Sequence, residues 1–493
     1  MQYIIGSLRR KLKPQPALLG EIEAKLNRIK DLILSNLRSR GLPRSAEELY
    51  AFEKSLQTTS CELINAVTAS VVNGLNDHEA FRSAAEATFE RDRRFRRAGT
   101  RSTTVHLSGG ATIRLQTPYF ARRRGKRRGR RRGVGRRGSG GTGVFPVLLC
   151  LGIRWGATPG LASQVGREAA DSTSYECTRE SLAARGVDLD VKVIRRLSMA
   201  LGVAGLKVRE ARLQQARQGK TSDEFKGRSI AIGVDGGRVR TRVPRTRGRR
   251  RDGTNRRGYD CPWREPKCFV IYEFDENGHK KRHTKPIYEA TLGDCDALVE
   301  LLLAELKLRG AHQARMLVFL ADGAEWIWDR IPSIVKALGI DPHRVRTAVD
   351  FYHAVENLTA AADLRTGWSQ QKRTRWLNRM KDLLWRGKVD KVIEEINSLC
   401  IGRKAKAMAT KRDYFDDRKH LMAYRRLRKE GIPLGSGSIE SAIRRIVNLR
   451  LKGPGIFWRE ENAEAMLYLR AHLKAGRWDE MVKATFTNVS VRA

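Results

Sequence analysis

No apolar run in the chain approaches the ~18 residues that a membrane-spanning helix needs, and no signal-peptide-like apolar stretch precedes a cleavage site near its start. A membrane-spanning or exported protein is not expected. Cysteine is sparse. The seven, Cys61, Cys150, Cys177, Cys261, Cys268, Cys295 and Cys400, are odd in number and include no Cys-x-x-Cys pair. This argues against a disulfide framework and against a cysteine-built zinc ribbon, since Cys261 and Cys268 lack a second pair. A reducing cytoplasm is the expected compartment. Acidic residues are the third deficit: 54 Asp and Glu face 97 Lys and Arg, a formal charge of +43. Self-repulsion on that scale destabilises a folded chain unless a polyanion shares its surroundings. With no membrane segment, that polyanion is expected to be nucleic acid.

Apolar residues make up 41% of the 493 positions, enough to build the cores of three or four domains. The first hundred residues read as helical. Ile22, Leu26, Ile29, Ile33 and Leu37 recur at helical spacing, and a second helix opens at Ser45 with Glu48 as a capping box and Leu49, Phe52 and Leu56 on one face. These stripes pack within the chain, the commoner outcome, or against a second copy. Residues 103–107 and 111–117 alternate around Ser108-Gly109-Gly110, a hairpin pattern. In residues 122–137, eleven of sixteen are Arg or Lys, and no core can form from them. Arg122, Arg123, Arg124, Lys126, Arg127, Arg128, Arg130, Arg131 and Arg132 suit a solvated linker or an arm that neutralises phosphates; the total charge favours the arm. Residues 161–170, 174–185 and 189–201 read as a helical trio. On its third helix Val193, Ile194, Leu197 and Leu201 share one face, and Lys192, Arg195, Arg196 and Met199 the other. A helix-turn-helix reading DNA shows that pattern, and so does any three-helix bundle.

From about residue 227 strands and helices alternate. An apolar strand at 229–234 ends in Asp235-Gly236-Gly237. A basic, Gly-rich excursion over 238–264, with Arg249, Arg250 and Arg251 as further DNA contacts, leads to strands at 268–274 and 287–292. A helix at 294–309 precedes a strand at 316–320 followed by Asp322-Gly323. A helix over 326–338 and a strand at 345–349, ending at Asp350, come next. The early strands are close in sequence, as an antiparallel meander requires; the later ones are separated by helices, as parallel crossovers require. The expected class is multidomain α+β with a mixed sheet.

Asp235 and Asp322 each emerge at the carboxyl end of an apolar strand, where such sheets place their sites. Converging carboxylates repel unless a cation lies between them. Two Asp and a third acid supply the hard oxygen ligands of Mg²⁺ or Mn²⁺, and two ions ~3.5–4 Å apart suit in-line displacement at phosphorus. Read alone, each Asp-Gly is as often a turn. Glu440, in Gly435-Ser436-Gly437-Ser438-Ile439-Glu440-Ser441, is the third acid, on a helix capped by Ser436 or Ser438 with Ile439, Ile443, Ile446 and Val447 toward the sheet. By itself it is equally an ordinary helix-start glutamate. His353 likewise reads equally as a satisfied helix-start histidine.

Several segments occur in a telling order: Gly233-Val-Asp235-Gly-Gly-Arg-Val-Arg240, Ala321-Asp322-Gly-Ala-Glu-Trp326-Ile-Trp328, Val349-Asp350-Phe-Tyr-His353-Ala-Val-Glu-Asn357, Ser436-Gly-Ser-Ile-Glu440-Ser, and the tail from Asn448 through Trp458 to Met466. Over about residues 100–485 the chain resembles the transposases of ISKra-type bacterial insertion sequences, akin to the Mutator-like DDE group. The resemblance implies an RNase H-like core with Asp235, Asp322 and Glu440 as a metal-binding catalytic triad. It places His353, paired with Asp350, at the active centre, contacting a phosphate or orienting the nucleophile. Trp326 and Trp458 enter as accessory residues of the same motifs. An all-helical insertion is implied before Glu440, suited by Trp368, Trp376 and Trp385. In one respect the chain departs from the pattern. After Pro118-Tyr119-Phe120, where relatives often carry a cysteine-paired zinc segment, it has the arginine-glycine run, so bare electrostatic contact is expected there.

The expected organisation is a helical region at 1–100 for end binding or dimerisation, a hairpin and basic segment at 101–158, and a helix-turn-helix-like domain at 159–222. A catalytic core at 223–356 and 433–485 then encloses the insertion at 357–432, with a tail at 486–493. The expected protein is a homodimer or larger homo-oligomer near the bacterial nucleoid. It would bind double-stranded DNA at the terminal inverted repeats of its element, cleave the ends and join them to target DNA. A nuclease that cuts without joining and a domesticated DNA-binding protein are the rivals, although a pure binder has no need of three acids in a basic cleft.

Overall fold

The computed structural model describes residues 16–123, 143–245, 258–322, 325–435 and 437–488. One unit is formed by the chain up to Ala204 together with the stretch from Val482, the other by Gly205–Met481.

In the first unit the helices Pro16–Arg40 and Ala46–Asp77 run antiparallel, Lys25 donating to Ser70 at 2.5 Å and Ser70 to Glu21 at 2.9 Å. Ile22, Ile29, Ile33 and Leu37 are half-buried, while Leu26 joins Leu19, Leu32 and Leu34 at the surface. The capping box closes one residue out of register. Ser45 Oγ accepts from Glu48 N–H, but Glu48 Oε2 accepts from Arg44 N–H.

The helical reading fails before residue 100, because strand β1 (Phe95–His106) already begins there. It pairs antiparallel with β2 (Thr112–Arg122), to which β3 (Gly143–Val144) adds. The expected turn is in place, with Leu107 N–H on Ala111 O and Gly110 N–H on Leu107 O. The strands outrun the alternation that marks them, since β1 is almost wholly exposed between Arg96 and Ser102 and carries no burial period there.

The helical trio is Pro159–Asp171, Tyr175–Ala183 and the first part of Val191–Arg217, closed around Leu161, Val165, Leu182, Ile194 and Leu197. Thr158 and Ser174 cap the first two, accepting from Leu161 and Cys177 N–H. Met199, expected on the basic face, is buried. The third helix continues far past Leu201. In the second unit its Gly205 meets the Tyr468 ring, which lies within 2.2 Å of where a Cβ would stand.

The second unit opens with β4 (Ser229–Gly236). A ribbon of short strands follows, β5 (Val239–Arg240) pairing with β8 (Trp263–Arg264) and β6 (Val243–Pro244) with β7 (Tyr259–Asp260). Then come β9 (Lys267–Glu273), β10 (Ile287–Thr291), β11 (Met316–Ala321) and β12 (Val345–Val349). The main sheet has the order β10-β9-β4-β11-β12, antiparallel through its first three strands and parallel through its last three. Ile230, Ile232 and Val234 face a core shared with Leu298 and Leu302 of the helix Cys295–Leu308 and with Ile334 of the helix Ile331–Leu338. The alternate residues Ala231, Gly233 and Asp235 therefore face the opposite side. The single helix expected over 326–338 is two, Glu325–Trp328 and Ile331–Leu338, with Pro332 in the first turn of the second, where a missing N–H breaks no bond.

After β12 five helices, Phe351–Asp363, Gln370–Trp385, Val389–Ser398, Ala405–Arg418 and Tyr424–Lys429, form a core of their own around Leu358, Trp376, Met380, Val392 and Phe415. The first of these helices begins at Phe351, ahead of the expected 357, and Val349 of β12 packs into the same core. The α+β class with a mixed sheet holds. No described helix is long and apolar enough to cross a membrane.

Candidate active site

Parallel strands β4 and β11 are in register with Val234 opposite Ala321. The next residue on each is an aspartate. Asp235 and Asp322 thus lie on neighbouring strand ends, strands being ~4.8 Å apart, on the face turned away from the Leu298 core. Gly233 admits the third acid. A Cβ there would stand 3.1 Å from Ile439 Cβ and 3.0 Å from Val270 Cγ1, so only glycine lets Ile439 sit this close. Glu440 is the next residue, in the seven-residue helix Gly437–Ile443. Gly237 makes a second close approach, to Val447. Ile439, Ile443, Ile446 and Val447 are all buried, as expected of the sheet-facing side.

Asp235 feels the whole group. Burial raises its carboxyl to about 6; the Gly236 N–H, donating to it at 2.6 Å, pulls it down, Asp322 and Glu440 push it up, and His353 pulls it down. Among the described residues, no three His, Cys, Asp or Glu side chains are gathered closely enough to hold a metal ion. Mutual repulsion of the carboxylates favours that spread, and Asp235 is turned onto Gly236. In chemistry the three acids fit a hard divalent cation; ligation requires their side chains to draw together. Cys268 of β9, paired with Asp235 of β4, is fully buried and its thiol is pushed far up by that burial, so it remains a packed side chain.

Asp350 follows β12, its N–H donating to Ala321 O at 2.9 Å. Its residue is fully buried, and its carboxylate caps the helix Phe351–Asp363 by accepting from Tyr352 and His353 N–H at 2.5 and 3.1 Å. The Asp350–His353 pairing is therefore a helix cap made through the backbone. The His353 imidazole lies 3.1 Å from Glu356 and acts on Asp235 through its charge.

Several residues here escaped sequence reading. Tyr414, from the helical insertion, donates to the Asp322 carbonyl at 3.3 Å and also bonds Asn357. Tyr272 bonds Ser438. Burial pushes both hydroxyls up to about 12, so they stay protonated donors. Ser438 thus sits inside the helix facing Tyr272 instead of capping it; Ser436 lies outside the described residues. Past Ile443 the helix widens into a π turn, Arg444–Asn448. Such turns redirect carbonyls, and the buried Arg470 guanidinium takes those of Ile446, at 2.7 Å, and Arg445. The one available signal was a charge set in the apolar stretch Met466-Leu-Tyr-Leu-Arg470.

The other expected residues fall elsewhere. Trp326 packs on the sheet core, with Lys267 over its ring at 5.9 Å. Trp458 is buried with Arg450 over its ring at 5.2 Å. Lys192, Arg195 and Arg196 are exposed on the trio's third helix. Arg122 is exposed at the end of β2, and Arg123 donates to Phe95 O at 3.0 Å. Arg124, Lys126, Arg127, Arg128, Arg130, Arg131, Arg132, Arg249, Arg250 and Arg251 lie outside the described residues. No family model and no curated protein matches the chain.

Proposed function

We propose that the chain is a metal-dependent DNA transposase with an RNase H-like core, acting through Asp235, Asp322 and Glu440. The observation that carries this reading is the meeting of the two strand-end aspartates with the Glu440 helix through the Gly233–Ile439 contact. A net charge of +43 makes a phosphodiester polyanion the fitting substrate. Two Mg²⁺ or Mn²⁺ ions held by these acids would supply electrostatic stabilisation at the phosphoryl oxygens. Around them, Asp350 and Tyr414 fix the strand ends, and His353 stands ready to hold a phosphate or orient the attacking hydroxyl. The exposed Lys192, Arg195 and Arg196 suit a helix-turn-helix reading of the element's terminal inverted repeats. Leu19, Leu26, Leu32 and Leu34, left at the surface of the first helix, suit a homo-oligomer that holds two ends together.

The test is incubation of the full chain with DNA carrying the element's ends, a supercoiled target plasmid and Mg²⁺. Cut ends joined to the plasmid are expected, and Asp322→Ala or Glu440→Ala should abolish both cutting and joining while end binding persists. Cutting without joined product would make the protein a nuclease. Near-normal turnover by either variant would remove that residue from the site.

A further inference from the structure

The ribbon that leaves the sheet directly after Asp235 carries features the triad does not use. Trp263 on β8 is 51% exposed and Tyr259 on β7 37% exposed. Each is faced by an arginine: Arg240 of the opposite strand lies 4.7 Å from the Trp263 ring centroid, and Arg242, just before β6, lies 3.8 Å from that of Tyr259. Farther along, Arg245 is paired with Asp260 at 2.7 Å and Arg264 with Glu460 at 3.5 Å. Arg238, Arg240 and Arg242 have no carboxylate within ion-pair reach among the described residues. The ribbon stem is also held rigidly. Thr241 is buried and bridges to Trp458, whose carbonyl accepts from Arg242 N–H at 2.6 Å and whose N–H donates to Arg240 O at 3.0 Å. Tyr259 further rests on Phe457, ring centroids 6.0 Å apart.

Exposed flat rings beside unpaired guanidinium groups match a nucleic-acid strand in both of its chemistries. Rings stack on any base, and the arginines take the phosphates between bases. Arg240 is five residues along an extended path from Asp235, at most ~17 Å, which is about five base steps of duplex at ~3.4 Å each. We propose that Trp263 and Tyr259, with Arg240 and Arg242, form a stacking platform for unpaired bases of the DNA strand next to the scissile phosphate. The proposal rests on the reading of Asp235 as part of a DNA-cutting site. A base in a closed duplex hides its faces from such a platform, so frayed or single-stranded DNA is the preferred ligand.

The test compares a blunt 30-base-pair duplex with the same duplex ending in a five-nucleotide single-stranded tail, by competition at fixed salt, using the full chain in Ca²⁺ so that no cutting is needed. The wild-type chain should prefer the tailed DNA. Trp263→Ala should weaken tailed binding about five- to 150-fold and leave blunt binding within about twofold, while Trp263→Phe keeps most of the preference. Unchanged circular dichroism and Tm separate loss of the ring from loss of the fold. A wild-type chain without preference, or a Trp263→Ala variant that weakens both DNAs equally or neither, would overturn the platform. Binding is read apart from chemistry. A Trp263-dependent preference in a chain that never cuts would sink the transposase reading alone, and metal-dependent cutting with an indifferent Trp263→Ala would sink the platform alone.

Discussion

Ile439 rests on the bare backbone of Gly233, its Cβ 3.1 Å from where a methyl group at 233 would lie. Gly233→Ala overpacks that contact at a cost of about 1–3 kcal/mol and moves the helix start that carries Glu440. Displacement of ~1 Å at a reacting group costs about 100-fold. End cleavage should fall by that order in a chain that still binds DNA. Gly437→Ala, whose Cβ meets nothing within 4 Å, serves as the control. Equal rates for the two variants would mean that the contact does not position Glu440.

Chelation should abolish cleavage, and Mg²⁺ or Mn²⁺ should restore it. Ca²⁺ tolerates irregular coordination and should support binding better than chemistry. Asp235, raised to about 6, keeps its proton until the pH reaches that value. A cation has to displace the proton, so apparent Mg²⁺ affinity should weaken as the pH is lowered through 6. Titration of cleavage rate against Mg²⁺ at pH 7.5 and 5.5 checks this; identical midpoints would contradict it.

Base edges, not phosphates, distinguish an element's own ends from bulk DNA. Arg195 and Arg196 are exposed opposite the buried Ile194 and Leu197. An arginine pairing with guanine discriminates by about 1–3 kcal/mol. Arg195→Ala or Arg196→Ala should therefore reduce the cognate-to-scrambled binding ratio more than it reduces non-specific affinity. If competition shows the same ratio for both variants, the trio is a structural bundle.

His472 carries the clearest pH signature of stability. Its ring lies 4.3 Å from that of Tyr468, and burial lowers it from the ordinary 6.5 to about 4, opposed by its hydrogen bond to the Tyr468 carbonyl and by Glu305, and helped by Arg212 and Arg477. The folded chain thus refuses a proton that the unfolded chain accepts between those values. The unfolded state binds more protons in that window, so stability falls as the pH drops through it. From pH 7 to 5 the loss is about 2 kcal/mol on this account. His472→Gln should show a denaturation midpoint that changes correspondingly less over that range, and a slope equal to wild type would refute the assignment.

Much of the core was legible because local pattern records backbone period. The apolar runs before Asp235 and Asp322 and the one ending at Val349 became β4, β11 and β12 within a residue or two, since buried strands need continuous apolar residues. The same signal disappears where both faces meet solvent, which hid the outer half of β1 and the pair β6–β7, and two-residue strands such as β5, with Val239 buried, are too short to show a period. That Asp235 and Asp322 end strands was thus written locally. That those strands are neighbours, with Val234 opposite Ala321, was decided only by tertiary packing. So was the role of Gly233: Ile439 is more than two hundred residues away in the chain, and no local period links them. The Tyr414 bond to Asp322 and the Arg470 bonds to the π turn are of the same kind. Each joins groups whose residue types permit many partners, and the folded geometry selects one because a buried donor or acceptor left without a partner costs about 1–3 kcal/mol.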